Sequence, residues 1–107
     1  MTIAEMQERC YEQAKLKGWT LQEVPIPEQV ALIHSEASEA LECYRNDEPF
    51  SYTGEDGKPL GIASEYADIL IRVAHYSQLL GIDLEAEVVR KLDYNLTRSH
   101  RHGGKRI

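Results

Sequence analysis

Glu36-Ala37-Ser38-Glu39 and Glu65-Tyr66-Ala67-Asp68 are the residues of this chain best suited to chemistry. Each motif spaces its acids three apart within an apolar-periodic stretch, which sets two carboxylates on one face of a helix. Brought together, the pairs form a cluster of up to four negative charges, which repels itself unless a cation is present. Ligands that are all oxygen suit Mg²⁺, or Mn²⁺ in its place, rather than zinc. A di-iron bundle would call for Glu-x-x-His on two helices, and neither His34 nor His75 stands three residues after an acid of the cluster. The acids are therefore read as metal ligands, and the chain as an enzyme.

Solvated helix charges joined in surface salt bridges are the plain alternative. Glu36, Glu39 and Glu65 are followed four residues later by Ala40, Cys43 and Ile69, so none has a basic partner at that spacing. Asp68 has Arg72 at i+4 and Glu42 has Arg45 at i+3, and both read as ordinary pairs. On a helical projection Glu36 falls inside the apolar arc of its helix and Glu39 at its margin. A carboxylate turned toward a core is costly unless paired or metal-bound.

Four helices are expected to position these groups. The first spans about Ile3 to Lys17, with Ile3, Met6, Cys10 and Ala14 on one stripe, and stops at Gly18-Trp19. The second has Pro27 in its first turn and runs to about Asn46. A loop rich in Gly, Pro, Asp and Ser leads to the third, about Leu60 to Leu80, closed by Gly81. Asp83 caps the fourth, which reaches about Arg98. Nothing alternates with period two, so the fold class is all-α.

On the fourth helix Leu84, Val88, Leu92 and Leu96 form the expected core stripe, bordered by Lys91, Asn95 and Arg98. That second row suits phosphate oxygens: an ammonium, an amide donor and a guanidinium fork. Its alternative is a solvated basic face, with Lys91 paired to Glu87. Arg101, His102, Lys105 and Arg106 make residues 100–107 a flexible basic tail, and residues 1–99 a single helical domain. Trp19 reads equally as a core plug or as an aromatic wall for a base. The third helix is apolar almost all round, which calls for cover by a second copy of the chain and makes a homodimer or homotetramer the expected form.

The bulk numbers agree. A chain of 107 residues with 42% hydrophobic and 28% charged residues suits one soluble domain. Its net charge of −6 argues against a general nucleic-acid partner. No apolar run reaches membrane-spanning length, the N-terminus has no signal-peptide pattern, and Cys10 and Cys43 give no disulfide framework. A cytoplasmic protein is expected.

Glu-x-x-Glu, a spacer of 25 residues and Glu-x-x-Asp resemble the signature of the MazG-like all-α nucleoside triphosphate pyrophosphohydrolases. The likeness extends to Gly18-Trp19, to Lys91, Asn95 and Arg98, and to the ending Arg101-His102-Gly103-Gly104-Lys105, and so covers nearly the whole chain. It implies a four-helix MazG-like bundle completed by homo-oligomerisation. It also implies cleavage of (deoxy)nucleoside triphosphates to monophosphate and pyrophosphate, in the service of nucleotide pool sanitation. The metal, Mg²⁺, would be held by Glu36, Glu39, Glu65 and Asp68. Substrate would be gripped by Lys91, Asn95 and Arg98, with Trp19, His102 and Lys105 around it. Many members carry a further Glu before the first motif Glu, where this chain has Ser35. The number of metal ions is thereby left open, as is the choice between Glu36 and Glu39 as the catalytic group orienting water. The rival readings are a phosphoribosyl-ATP-type pyrophosphohydrolase and a non-catalytic helical oligomer.

Overall fold

The helices begin and end where local chemistry dictates. In the computed structural model, which describes residues 1–18 and 24–98, α1 spans Ile3–Leu16, α2 Ile26–Arg45, α3 Ile62–Leu79 and α4 Leu84–Leu96. Thr2 starts α1 with a capping box: its hydroxyl accepts from the Glu5 N–H at 3.1 Å and its own N–H donates to the Glu5 carboxylate at 3.0 Å. Pro27 stands in the first turn of α2, as its spacing predicts. Asp83 caps α4 by accepting from the Ala86 N–H at 3.0 Å. The protein is mostly helical, which fits the all-α class.

Both helices that carry the acidic motifs end in Schellman turns. At the end of α3 the Ile82 N–H donates to the Ser77 carbonyl and the Gly81 N–H to the Gln78 carbonyl, with Gly81 at φ 70°. At the end of α2 the Glu48 and Asp47 N–H groups make the same two bonds, to Cys43 and Tyr44. There the left-handed position is filled by Asp47, at φ 53°.

The segment between α2 and α3 departs from the expected plain loop. It contains a small hairpin, β1 (Tyr52–Thr53) antiparallel to β2 (Pro59–Leu60), with Tyr52 opposite Leu60 and Thr53 opposite Pro59. Strands of two residues are too short for period-two alternation to register in a sequence. Gly61 then turns the chain into α3 at φ 100°, so close to the Pro49 and Phe50 carbonyls that a Cβ would lie 2.6 and 2.5 Å from their oxygens.

α3 is the central element, packed against α1 on one side and α2 on the other. Glu36 of α2 meets Arg72 of α3, while Cys43, seven residues on, lies beside Glu65, so the two chain directions oppose. Gln7, buried in α1, secures the α3–α4 turn: its amide donates to the Ile82 carbonyl at 2.8 Å and its oxygen accepts from the Leu84 N–H at 3.3 Å.

α4 corrects one expectation. It packs on α1, where Glu85 accepts from the Ile3 N–H at 3.1 Å, and has no comparable packing on α2 or α3. Leu84 and Val88 are half-buried, but Leu92 and Leu96 are 58% and 86% exposed, so the expected core stripe is covered only in its first half. The helix leaves the body after the Gln7 and Glu85 contacts, and its far turns have little to bury against among the described residues. Tyr66, Leu70 and Ile71 on α3 are also exposed. No described helix is long and apolar enough to cross a membrane.

Candidate metal centre

Glu36 lies on the face of α2 that meets α3, among Gln29, Ala40 and Cys43, all buried along the same side. Glu65 and Asp68, one turn apart in the first half of α3, are half-buried opposite it. Carboxylate oxygens of Glu36, Glu65 and Asp68 all lie within 4.8 Å of one another. The fourth acid of the motifs, Glu39, is exposed and stands outside that triad, though close enough to interact with both Glu36 and Glu65.

The electrostatics follow from crowding. Burial, then hydrogen bonding to Glu39 and Glu36, then the charges of Glu39 and Asp68 push the Glu65 carboxyl up to about 7. Asp68 is raised in the same direction, by burial and then by the Glu36 charge, against the opposing pull of Arg72 and Lys58. Burial also works to raise Glu36, yet the hydrogen bond from Arg72, with those shared with Glu39 and Glu65, outweighs it and holds Glu36 below the usual carboxylate range. Near neutral pH the cluster thus keeps part of a proton, held chiefly at Glu65 beside an ionised Glu36.

With both carboxyls ionised, the Oε2 atoms of Glu36 and Glu65 are buried without a hydrogen-bond partner among the described residues. Desolvated carboxylate oxygens are unfavourable until something positive is placed between them. A shared proton meets that need in part; a hard divalent cation meets it fully, and the donor set of carboxylate oxygens alone is the kind Mg²⁺ and Mn²⁺ take. The residues present fit such an ion.

Arg72 has a different partner from the one its spacing suggests. Instead of closing on Asp68 at i−4, its Nε donates to Glu36 Oε1 at 2.9 Å and its Nη1 to the Tyr76 hydroxyl at 3.0 Å. Glu42 and Arg45 do pair as expected, at 3.3 Å. Glu87 pairs with Arg90 at 3.6 Å rather than with Lys91. Arg72 and Tyr76 are thus parts of the site that the motif search passed over. The signal was there: Glu65, Asp68, Arg72 and Tyr76 recur every three or four residues and so share one face of α3.

A cavity of about 300 Å³ opens beside the triad, between α1, α2 and α3. Ala14, Val24, Leu32 and Ile71 give it apolar walls, and its polar and charged groups, of both signs, come from Gln13, Lys17, Glu28, Arg72, His75 and Tyr76. Burial, and then the Arg72 charge, keep the His75 imidazole below its ordinary value, favouring the neutral ring. Arg72 thus borders both the cavity and the carboxylates.

The expected phosphate row stands elsewhere in the chain. Lys91, Asn95 and Arg98 are exposed on or just beyond α4, with the Lys91 ammonium and the Arg98 guanidinium each 6.0 Å from the centre of the Tyr94 ring. Because α4 packs on α1 and has no comparable packing on α2 or α3, this row is not packed against the helices that carry the acids among the described residues. Trp19, His102 and Lys105 lie outside the described residues, as does the 100–107 tail. Comparison of the chain with protein-family models, with characterised proteins and with solved structures finds no match.

Proposed function

We propose that the protein is a Mg²⁺-dependent nucleotide pyrophosphohydrolase of the MazG-like kind, cleaving (deoxy)nucleoside triphosphates to monophosphate and pyrophosphate. The observation that carries this reading is the convergence of Glu36, Glu65 and Asp68, with two buried carboxylate oxygens lacking a donor among the described residues. Those three acids, with Glu39 beside them, would hold the metal. Such an ion would supply charge neutralisation on phosphate oxygens and would lower the pKa of water, making hydroxide available as the nucleophile near neutral pH.

The protein's own groups divide the remaining work. Glu36 is buried and engaged by Arg72, so its role is to ligate. Glu39 is exposed next to the triad and is free to orient water and accept its proton, which favours Glu39 over Glu36 as the catalytic group. No side-chain nucleophile is needed. The adjoining cavity, apolar in most of its wall and edged by Lys17, Arg72 and the acid Glu28, would take the base and sugar of a nucleotide whose phosphates extend toward the acids.

Assembly into a homodimer or homotetramer belongs to the same reading. Tyr66 and Leu70 on α3, and Val89, Leu92 and Leu96 on α4, expose apolar surface that a second copy would cover. Pairing of copies would also give the Lys91–Asn95–Arg98 row a route to an acidic cluster that it lacks within its own protomer.

A non-catalytic helical oligomer is the second reading, and the Glu36–Arg72 ion pair favours it, because part of the acidic charge is already answered from within. The test is incubation with each common nucleoside triphosphate and with phosphoribosyl-ATP, in the presence of Mg²⁺, measuring pyrophosphate against orthophosphate. Pyrophosphate from nucleoside triphosphates supports the proposal. Release from phosphoribosyl-ATP alone reassigns the substrate, and orthophosphate alone refutes the cleavage point. No turnover, together with no Mn²⁺ binding by calorimetry, leaves the scaffold.

A further inference from the structure

Arg72 joins the carboxylates to a buried residue of the protein core. Its Nη1 is fixed by the hydroxyl of Tyr76, a residue only 5% exposed, and its Nε reaches a single oxygen of Glu36. A guanidinium fork is able to engage both oxygens of a carboxylate at once. Here one arm is diverted to Tyr76, Oε1 alone is taken, and with the neighbouring carboxyls ionised Oε2 stays buried with no donor among the described residues. Glu36 is the only triad acid with which Arg72 forms an ion pair among the described residues, although Asp68 stands one turn away on its own helix. A simple counter-ion for the whole cluster would have no reason to single out Glu36, nor to be tied to a buried tyrosine.

We propose that Arg72, held by Tyr76, is a positioning residue for Glu36: it fixes the carboxylate by Oε1 and leaves Oε2 free to ligate a hard divalent cation together with Glu65 and Asp68. This rests on the metal-binding reading above. A glutamate left to itself spreads over many rotamers, and ordering it would count against metal binding. Partners of this kind, which orient a ligand without touching the metal, change affinity by about ten- to a hundred-fold when removed. Repulsion between the guanidinium and a dication acts in the opposite sense. The direction of the change on removing Arg72 therefore separates a positioning group from a mere occupant of the site.

The test is calorimetric titration of the full-length, chelator-treated protein with Mn²⁺ alone, comparing wild type, Arg72→Ala and Tyr76→Phe, each checked for helicity by circular dichroism. Positioning predicts a Kd raised about ten- to a hundred-fold in Arg72→Ala. A smaller rise is expected in Tyr76→Phe, and affinity returns in Arg72→Ala when millimolar methylguanidinium is added. Unchanged or tighter Mn²⁺ binding in Arg72→Ala overturns the proposal while leaving the metal site intact. Should Arg72→Ala fail to fold, Tyr76→Phe decides, and an unchanged Kd there overturns it. A wild-type protein that binds no Mn²⁺ overturns both this proposal and the metal reading beneath it.

Discussion

Replacing Glu65 by Gln should stabilise the metal-free protein at alkaline pH and remove its response to divalent metal. The Glu65 carboxyl is pushed from an ordinary 4.5 up to about 7. A raised folded-state value means that the folded protein holds the proton more tightly than the unfolded chain does. The contribution of this group is therefore fully favourable below 4.5 and is lost as pH rises toward and through about 7. The full displacement corresponds to about 3 kcal/mol. Solvent screening at a half-buried carboxyl, and sharing of the proton with its neighbours, reduce this to roughly 1–2 kcal/mol. The Gln amide imitates the protonated acid at every pH and can donate where the carboxyl proton did. In chelator, thermal unfolding should show Glu65→Gln and wild type close together at pH 5, and the variant higher by roughly 5–10 °C at pH 8. His75 also makes stability depend on pH, but it is present in both proteins and cancels in the difference, whereas Asp68 and Glu36 interact with Glu65 and their share lies within the roughly 1–2 kcal/mol. Adding Mn²⁺ at pH 8 should raise the wild-type melting temperature and leave the variant unmoved, since only the wild type then gains binding free energy. A difference that does not grow with pH, or a variant that melts below wild type at pH 8 in chelator, would refute the reasoning.

Three further outcomes follow from the fold. Gly61→Ala should cost about 2–4 kcal/mol in urea denaturation, because its Cβ would run into two backbone carbonyls at a positive φ; a loss below about 1 kcal/mol would show that the Pro49–Phe50 segment yields easily. Asp47→Gly should stabilise by roughly 0.5–1 kcal/mol, since the left-handed position closing α2 suits glycine better; an unchanged urea midpoint would count against that account. Leu70→Glu places a charge on exposed apolar surface of α3 and should reduce an oligomer to monomer by light scattering; a mass identical to wild type would remove this face from the interface.

The positions of the acids along their helices were legible without coordinates, because side chains three apart share a helix face whatever surrounds them. So was the inward setting of Glu36 against the marginal one of Glu39. Helix ends were legible for the same local reason: Asp83, Gly81 and Pro27 act on backbone groups within a turn of themselves. The hairpin was not, since two-residue strands carry no period.

Which groups meet across helices was decided by packing alone. Arg72 has Asp68 within reach on its own helix and Glu36 on the next, and only the register of α2 against α3 selects Glu36. That register also brings Asp68 into the triad and leaves Glu39 at its edge. The course of α4 is a tertiary outcome too: an apolar stripe demands cover without naming what supplies it, and α1 covers only the first turns. Periodicity and caps are short-range effects set by neighbours in the chain, whereas the pairing of carboxylates with a guanidinium depends on how whole helices seat against one another.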